Sequence, residues 1–139
     1  MEISKLQHAA LAAVAAQHDV ELLLLFGSFT APEKTHSESD VDIAVRFRAP
    51  TIELRSLLAL QGDLQEIFAP HVLDLADLRR ADPLFLKKIC DRCQLLVGNE
   101  RQLAELKLLA FRRYVDHGRY FAMEREYARR TLQHLTGHS

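Results

Sequence analysis

The 139-residue chain lacks any long apolar run, since no stretch approaches the roughly 20 residues that a membrane-spanning helix needs. It also lacks a signal-peptide pattern, because Glu2 and mixed polar residues stand where a basic region and a clean apolar segment would be needed. Hydrophobic residues make up 48% of the chain and charged residues 27%, as in an ordinary globular protein. We therefore expect one domain, or one small domain with an appendage, located in the cytoplasm.

Cysteine is scarce, and the only two, Cys90 and Cys93, form the sequence "CDRC". A structural zinc site needs a second pair of ligands, and the seven histidines are scattered along the chain rather than grouped. The pattern predicts two reduced thiols about one helical turn apart, with a redox or metal role as the alternative.

Runs of basic residues are also absent, because no lysine or arginine run is longer than a pair. The net charge is −1 and the pI is near 6.6. Residues 1–100 carry 10 basic and 15 acidic side chains, whereas residues 101–139 carry 8 basic and 4 acidic ones. A basic C-terminal segment is one feature of nucleic-acid-binding proteins, but with this pI and no basic run we expect no direct binding of nucleic acid.

Short apolar segments bounded by glycine, proline or polar residues predict four β-strands. The second alternates strictly, so that Val41, Ile43, Val45 and Phe47 point one way and Asp40, Asp42, Ala44 and Arg46 the other. The polar residues before it contain Pro32 and predict a loop, in which Lys34 and His36 are expected to be solvated charges. The predicted strands span residues 21–26, 40–47, 71–78 and 94–98.

Helical spacing and capping residues predict four helices. Thr51 is a candidate cap for the second, Pro83 suits the first turn of the third, and Asn99 is a good cap for the fourth. No proline follows Asn99, so the C-terminal segment forms one long helix or two that meet near Gly118. The first helix is predicted to be amphipathic, with Ile3, Leu6, Ala10, Leu11 and Val14 at helical spacing. The predicted helices span residues 2–18, 51–68, 83–93 and 100–135.

The resulting order, α-β-β-α-β-α-β-α, predicts an α/β (α+β) fold with a small mixed sheet flanked by helices. Residues 1–98 are expected to form the main domain. Residues 99–139 are expected to form a helical C-terminal extension packed on that same domain.

Two carboxylates, Asp40 and Asp42, are separated by one residue in the second predicted strand, so both side chains leave the same face. Carboxylates this close repel one another and raise one another's pKa, and burying them without compensation is costly. A divalent cation removes that cost, and Mg²⁺ prefers carboxylate oxygens, water and substrate phosphates. Asp74, in an apolar segment, would add a third carboxylate if its strand is a neighbour and its side chain leaves the same face.

A glycine-serine pair, Gly27-Ser28, ends the first predicted strand. Glycine lets the backbone approach a ligand closely, and the following turn, or the N-terminus of a helix there, offers N–H groups to phosphate oxygens. The Ser28 hydroxyl can donate a further hydrogen bond. Each feature alone is most often an ordinary turn or a solvated strand entrance. Their combination favours the transfer of a group from a nucleoside triphosphate.

Three further arginines lie near these segments. Arg46 shares the face of Asp42 and either pairs with a carboxylate or reaches the nucleotide. Arg79 and Arg80 are expected to be a solvated helix end.

The segment "LFGSFTAPEKTHSESDVDIAV" resembles the signature of the DNA polymerase β-like nucleotidyltransferase superfamily, and "HVLDLADL" resembles the strand that bears its third carboxylate. In length the chain is similar to the minimal nucleotidyltransferases (MNT), and in particular to the MntA-type antitoxins encoded beside HEPN-domain toxins. The resemblance implies a polymerase β-like fold, with residues 1–98 as the nucleotidyltransferase domain and residues 99–139 as its helical extension.

The resemblance also implies roles for five residues. Gly27 and Ser28 would hold the triphosphate of the substrate ATP. Asp40 and Asp42 would bind Mg²⁺, and Asp74 would complete the metal site and assist the attacking hydroxyl.

The implied activity is transfer of AMP from ATP to a tyrosine of the partner HEPN ribonuclease, which neutralises that toxin. Aromatic residues and arginines interleave in the C-terminal segment, as is typical of interface anchors, so we expect the toxin to dock on the C-terminal helices. Two alternatives stay open: an antitoxin that only binds and masks the toxin, and a transferase that acts on a small-molecule hydroxyl. The surface residues in question are Phe111, Arg112, Arg113, Tyr114, Arg119, Tyr120, Phe121, Arg125, Tyr127, Arg129 and Arg130.

Overall fold

Four strands form one mixed sheet in the order β3-β2-β1-β4 in the computed structural model of the protein. The central strand β1 is antiparallel to both β2 and β4, whereas β2 and β3 are parallel. The small mixed sheet expected from the sequence is therefore confirmed. The strands are β1 (Val20–Phe26), β2 (Val41–Phe47), β3 (Leu73–Asp77) and β4 (Cys93–Val97).

In the part of the chain that the structure describes, four α-helices accompany the sheet, and a 3₁₀ turn, Gly27–Thr30, follows β1. The predicted order of helices and strands is confirmed. The sequence alone is compatible with either a turn or a helix N-terminus at the glycine-serine pair. The structure has a 3₁₀ turn there, so no α-helix begins at this pair. The helices are α1 (Lys5–Gln17), α2 (Leu54–Phe68), α3 (Pro83–Asp91) and α4 (Glu100–Thr136).

The structure describes residues 1–30 and 40–136. Positions 31–39 lie outside the described residues. The polar loop predicted before β2, which contains Lys34 and His36, falls on these positions.

The sheet separates two hydrophobic clusters. Helices α1 and α2 cover one face, where Leu11 and Leu64 pack with Val41, Ile43 and Val45. Helices α3 and α4 cover the other face, where Ile89 and Leu106 pack with Ala44. The predicted alternation of β2 is thus confirmed, and it directs Asp42 and Arg46 to the side of α3 and α4 because these residues share the face of Ala44.

Three local expectations are corrected. Leu6 is 82% exposed, because the buried face of α1 is centred on Leu11 and Ala15 instead. Glu53, not Thr51, occupies the N-cap position of α2, and no side chain caps that helix. Cys93 begins β4 rather than ending α3, although it and Cys90 are free thiols as predicted.

The C-terminal segment is one continuous helix that passes through Gly118 without a break. Asn99 caps it as predicted: its side-chain oxygen accepts from the Gln102 N–H at 2.8 Å, and the Gln102 side chain accepts from the Asn99 N–H at 2.9 Å. Only Leu103, Leu106 and Ala110 are fully buried in α4, so the helix is anchored at its start and largely exposed beyond Ala110. Within residues 1–30 and 40–136, no helix combines the length and apolar character needed to cross a membrane.

Candidate active site

The candidate site lies at the edge of the sheet where β1 ends and β2 and β3 begin. Phe26, the last residue of β1, is opposite Asp42 in the antiparallel pair. Asp42 is in turn opposite Asp74 in the parallel pair of β2 and β3. Register partners on adjacent strands direct their side chains to the same face, so the two carboxylates are neighbours. Asp40 immediately precedes β2 at the same edge.

The three carboxylates differ in exposure: Asp40 and Asp74 are exposed, whereas Asp42 is partly buried. Burial raises the pKa of Asp42 above its ordinary value, and the negative charges of Asp74 and Asp40 raise it further. The positive charge of Lys88 acts in the opposite direction. The edge of the sheet therefore concentrates negative charge that a cation would relieve.

The donor set fits Mg²⁺ in chemistry, although not as a preformed cage. Among the described residues, no three or more histidine, cysteine, aspartate or glutamate side chains are grouped tightly enough to hold a metal ion. Mg²⁺ does not require such a group, because it keeps several waters and binds through one or two carboxylates together with substrate phosphates. The register partners Asp42 and Asp74 meet that requirement, and Asp40 lies directly before β2 at the same end of the sheet.

Gly27 packs directly against Asp42. Its φ is +79°, a left-handed conformation that favours glycine. An ideal Cβ at this position would overlap Oδ2 of Asp42 and lie 3.0 Å from its Cγ. The Thr30 hydroxyl donates to the Gly27 carbonyl at 2.6 Å and closes the 3₁₀ turn. Glycine is thus required both by the backbone conformation and by the position of the carboxylate.

A cleft of about 460 Å³ opens beside this glycine. It brings together Gly27, Ser28 and Asp42 of the sequence-predicted residues, whereas Asp40 and Asp74 are not among the residues that line it. The full lining is Phe26, Gly27, Ser28, Thr30, Asp42, Lys88 and Arg92.

Two cationic residues of this cleft, Lys88 and Arg92, were not expected from the sequence. Lys88 lies in the last turn of α3, and Arg92 follows the helix directly. Their spacing of four residues near a helix end was a usable signal, because it places both on one side of the helix. Which part of the sheet that side would reach could not be read from the sequence.

The arginines considered from the sequence lie elsewhere. Arg46 donates to Glu21 at 2.5 Å, so of its two predicted roles the pairing with a carboxylate is confirmed. Arg79 is not a solvated helix end, because it lies in the turn after β3 and donates to the Phe47 carbonyl at 3.1 Å and to Glu21 at 3.4 Å. Arg80, 68% exposed in its side chain, is solvated, but it too belongs to that turn.

A larger cavity of about 620 Å³ lies at the opposite end of β1, where Asp19 and Phe47 contribute to its lining. Its lining includes none of the three aspartates of the candidate site, Asp40, Asp42 and Asp74, and no residue of the glycine-serine turn. We therefore place the candidate site in the smaller cleft, since chemistry rather than volume decides where a reaction can occur.

Comparison with known proteins agrees with this geometry. The family model "Polymerase beta, Nucleotidyltransferase" matches residues 10–102. This range contains the glycine-serine turn, the three aspartates and all four strands. No curated protein matches the chain in sequence.

Three solved structures are similar to the chain over most of its length. One is a toxin–antitoxin with AMP-PNP, at 20% identity over 91% of this chain and 98% of that chain, with a TM-score of 0.67. Another is a tri-AMPylated Shewanella oneidensis HEPN toxin in complex with MNT antitoxin, at 18% identity over 93% and 98%, with a TM-score of 0.63. A third is the toxin–antitoxin MntA–HepT, at 18% identity over 94% and 99%, with a TM-score of 0.63. Together they confirm the nucleotidyltransferase fold with its long C-terminal helix.

Proposed function

The chain belongs to the polymerase beta nucleotidyltransferase family, and from this premise we propose that it is a protein adenylyltransferase and the antitoxin of a HEPN/MNT pair. In this proposal it transfers AMP from ATP to a tyrosine of the HEPN toxin. One observation carries the proposal: Asp42 is the register partner of Asp74 and is in close contact with Gly27.

Each of the predicted residues has a role in the proposed reaction. Asp40 and Asp42 would hold Mg²⁺, with Asp74 completing the metal site, and the bound ion would neutralise charge on the triphosphate and on the departing pyrophosphate. Gly27 and Ser28 bind the triphosphate through the backbone and the hydroxyl. The tyrosine oxygen forms a bond to the α-phosphorus of ATP, and the bond from that phosphorus to the bridging oxygen breaks. Pyrophosphate leaves, and Asp74 accepts the proton of the attacking hydroxyl.

Two of the similar structures support ATP as the nucleotide substrate and a HEPN toxin as the acceptor of AMP. One contains AMP-PNP, a non-hydrolysable analogue of ATP. Another contains a HEPN toxin that carries AMP. The surroundings of Asp42 add support from this chain itself: burial raises the pKa of Asp42, the negative charges of Asp74 and Asp40 raise it further, and a metal-bound triphosphate would relieve this repulsion.

The exposed part of α4 supports docking of the partner on this helix. Tyr120, Met123 and Tyr127 are 59%, 71% and 73% exposed and line a shallow cavity of about 500 Å³. Aromatic residues and methionine are enriched at protein interfaces, and a helix that leaves such residues in water gains stability by covering them. We call Tyr120, Met123 and Tyr127 the α4 patch, and we propose that it contacts a helix of the HEPN toxin.

Incubation with labelled ATP, Mg²⁺ and the product of the adjacent gene tests the proposal. Wild-type protein is expected to label the partner, and the double variant Asp40→Ala/Asp42→Ala is expected to lose the label. Asp63→Asn is the matched control, because this carboxylate lies on α2 and pairs with His18 at 2.6 Å on the other side of the sheet. Label on the partner that persists in the double variant would contradict the proposed catalytic residues.

A second function, neutralisation by binding alone, is favoured by the exposed aromatic and methionine side chains of the α4 patch. It predicts that Asp40→Ala/Asp42→Ala still blocks the toxin in cells. Loss of neutralisation in this variant, with partner binding retained, would exclude it. The third alternative, a small-molecule hydroxyl as acceptor, predicts labelled product without any protein partner.

A further inference from the structure

Two successive lysines near the end of α3 have different surroundings. Lys87 pairs with Asp91 at 2.6 Å, and its Nζ lies 4.8 Å from the centre of the Tyr114 ring. Lys88 instead lines the cleft that contains Gly27, Ser28 and Asp42. Lys88 makes no ion pair within 4 Å with any residue in 1–30 or 40–136. Among the described residues, its ammonium group is therefore not held by any one carboxylate.

The surroundings of Lys88 are negatively charged. Burial and the negative charges of Asp74 and Asp40 raise the pKa of Asp42, and the positive charge of Lys88 only partly offsets this rise. The C-terminal end of α3 adds the partial negative charge of a helix terminus. In the protein without nucleotide, Lys88 thus supplies positive charge in the cleft that also contains Asp42, one of the proposed ligands of a divalent cation.

We propose that Lys88 exchanges partners when nucleotide binds: it balances the carboxylates around Asp42 in the free protein and binds the triphosphate in the complex with ATP. The inference rests on the proposed function, because it assigns the triphosphate to this cleft. An exposed lysine suits the exchange, because its ammonium is a compact charge on a flexible four-carbon stem.

The exchange predicts two effects of opposite sign for Lys88→Ala. Without nucleotide, a divalent cation should bind on the order of threefold more tightly, because a competing positive charge near Asp42 is removed. With nucleotide, the affinity for AMP-PNP should fall by about 10- to 100-fold, because a charge-assisted hydrogen bond to phosphate is lost. A purely structural lysine would change both affinities in the same direction or leave both unchanged.

The experiment titrates Mn²⁺ into the nucleotide-free full-length protein by electron paramagnetic resonance and AMP-PNP with Mg²⁺ by calorimetry. The variants are Lys88→Ala, Lys88→Arg and the matched control Lys87→Ala. Lys88→Ala should show the two opposite effects, Lys88→Arg should recover most of the AMP-PNP affinity, and Lys87→Ala should change neither by more than about twofold. Thermal unfolding of each variant identifies any loss of folded protein.

Unchanged affinities in Lys88→Ala, or a parallel loss of both, would overturn the role of Lys88. Labelling of the HEPN partner by wild-type protein would show in the same series that the proposed function survives that result. Conversely, opposite shifts for Mn²⁺ and AMP-PNP, without transfer to any acceptor, would support the exchange and contradict the adenylyltransferase.

Discussion

The carboxylate of Asp42 occupies the space that a side chain on Gly27 would need, since an ideal Cβ there would overlap its Oδ2. The two residues are brought together because Phe26, one residue before the glycine, is the register partner of Asp42. The phosphate-binding turn and the metal-binding strand of the proposed site therefore depend on each other.

Gly27→Ala should strongly impair AMP transfer while leaving the protein folded. The left-handed backbone costs a non-glycine residue about 1–2 kcal/mol, and the new methyl group displaces the Asp42 carboxylate. Because small misplacements of reacting groups cost about 100-fold, we expect at least that loss in kcat/KM. Gly62→Ala is the control, because Gly62 lies within α2 with open space around it, and it should raise stability by about 0.5–1 kcal/mol. Activity retained by Gly27→Ala would show that Asp42 does not require its present position.

Asp42→Asn should be more stable than wild type at neutral pH in the absence of divalent cations. The pKa of Asp42 is raised in the folded state, so the folded protein releases this proton at higher pH than the unfolded chain. The contribution of Asp42 to stability therefore falls as the pH rises from the ordinary aspartate range near 4 through the raised pKa, and Asn removes that loss.

Thermal unfolding from pH 4 to pH 8 in a chelator checks this, with an expected difference on the order of 1–2 °C at pH 8 that vanishes toward pH 4. Added Mg²⁺ should stabilise wild type more than Asp42→Asn. Equal responses of the two proteins to Mg²⁺ would count against Asp42 as a ligand.

Arg46→Ala should lower stability without weakening ATP binding. Arg46 and Glu21 are each only 19% exposed in their side chains, and loss of a hydrogen bond to a charged group in such a site costs about 1–3 kcal/mol. Urea unfolding measures the loss, and the KM for ATP should stay within twofold of wild type. Arg48→Ala is the control, because its pair with Asp19 at 3.2 Å is exposed and should contribute less than about 1 kcal/mol. A large rise in the KM of Arg46→Ala would assign Arg46 to the nucleotide instead.

Alanine substitution of the α4 patch should weaken binding of the HEPN partner but leave the melting temperature unchanged. The three side chains are largely exposed in the free chain, whereas truncation of an interface anchor costs about 2 kcal/mol or more, near 30-fold in Kd. Calorimetric titration of the partner into Tyr120→Ala, Met123→Ala and Tyr127→Ala measures this. Gln133→Ala, an exposed substitution elsewhere on the same helix, should bind as wild type does. Wild-type affinity in all three variants would place the interface elsewhere.

Cys90 should resist thiol reagents in the native protein. Burial raises the pKa of its thiol to about 11, with the neighbouring Cys93 contributing, and the thiolate is the reactive form. We expect slow alkylation by iodoacetamide at pH 8 and rapid alkylation after unfolding, as measured by mass spectrometry of the labelled peptide. Because the folded pKa lies above the unfolded value near 9, this residue also lowers stability as the pH rises from 9 towards 11. Rapid alkylation of Cys90 in the folded protein would contradict its burial.

Local sequence determined the elements of this protein well. Short apolar runs between glycine, proline and polar residues placed all four strands, and the strict alternation of β2 assigned Asp42 and Val41 to opposite faces, because the side-chain period of a strand is two. Pro83 in the first turn and Asn99 as a cap placed the starts of α3 and α4, whereas the cap of α3, Asp82, was found only in the structure. Leu6 was assigned wrongly, because an alanine-rich helix has a weak hydrophobic contrast between its faces and the sheet decides which one is covered.

The sequence by itself determined which chemical groups the site has, and the tertiary structure decided which of them meet. Asp42 and Asp74 come together through a parallel pairing of β2 and β3, and Gly27 meets Asp42 through an antiparallel one. Such pairings join residues far apart in the chain, so no local periodicity reports them. Lys88 reaches the same cleft only because α3 packs on the face of the sheet that carries Asp42. That choice of face depends on how the helices together bury the apolar sheet.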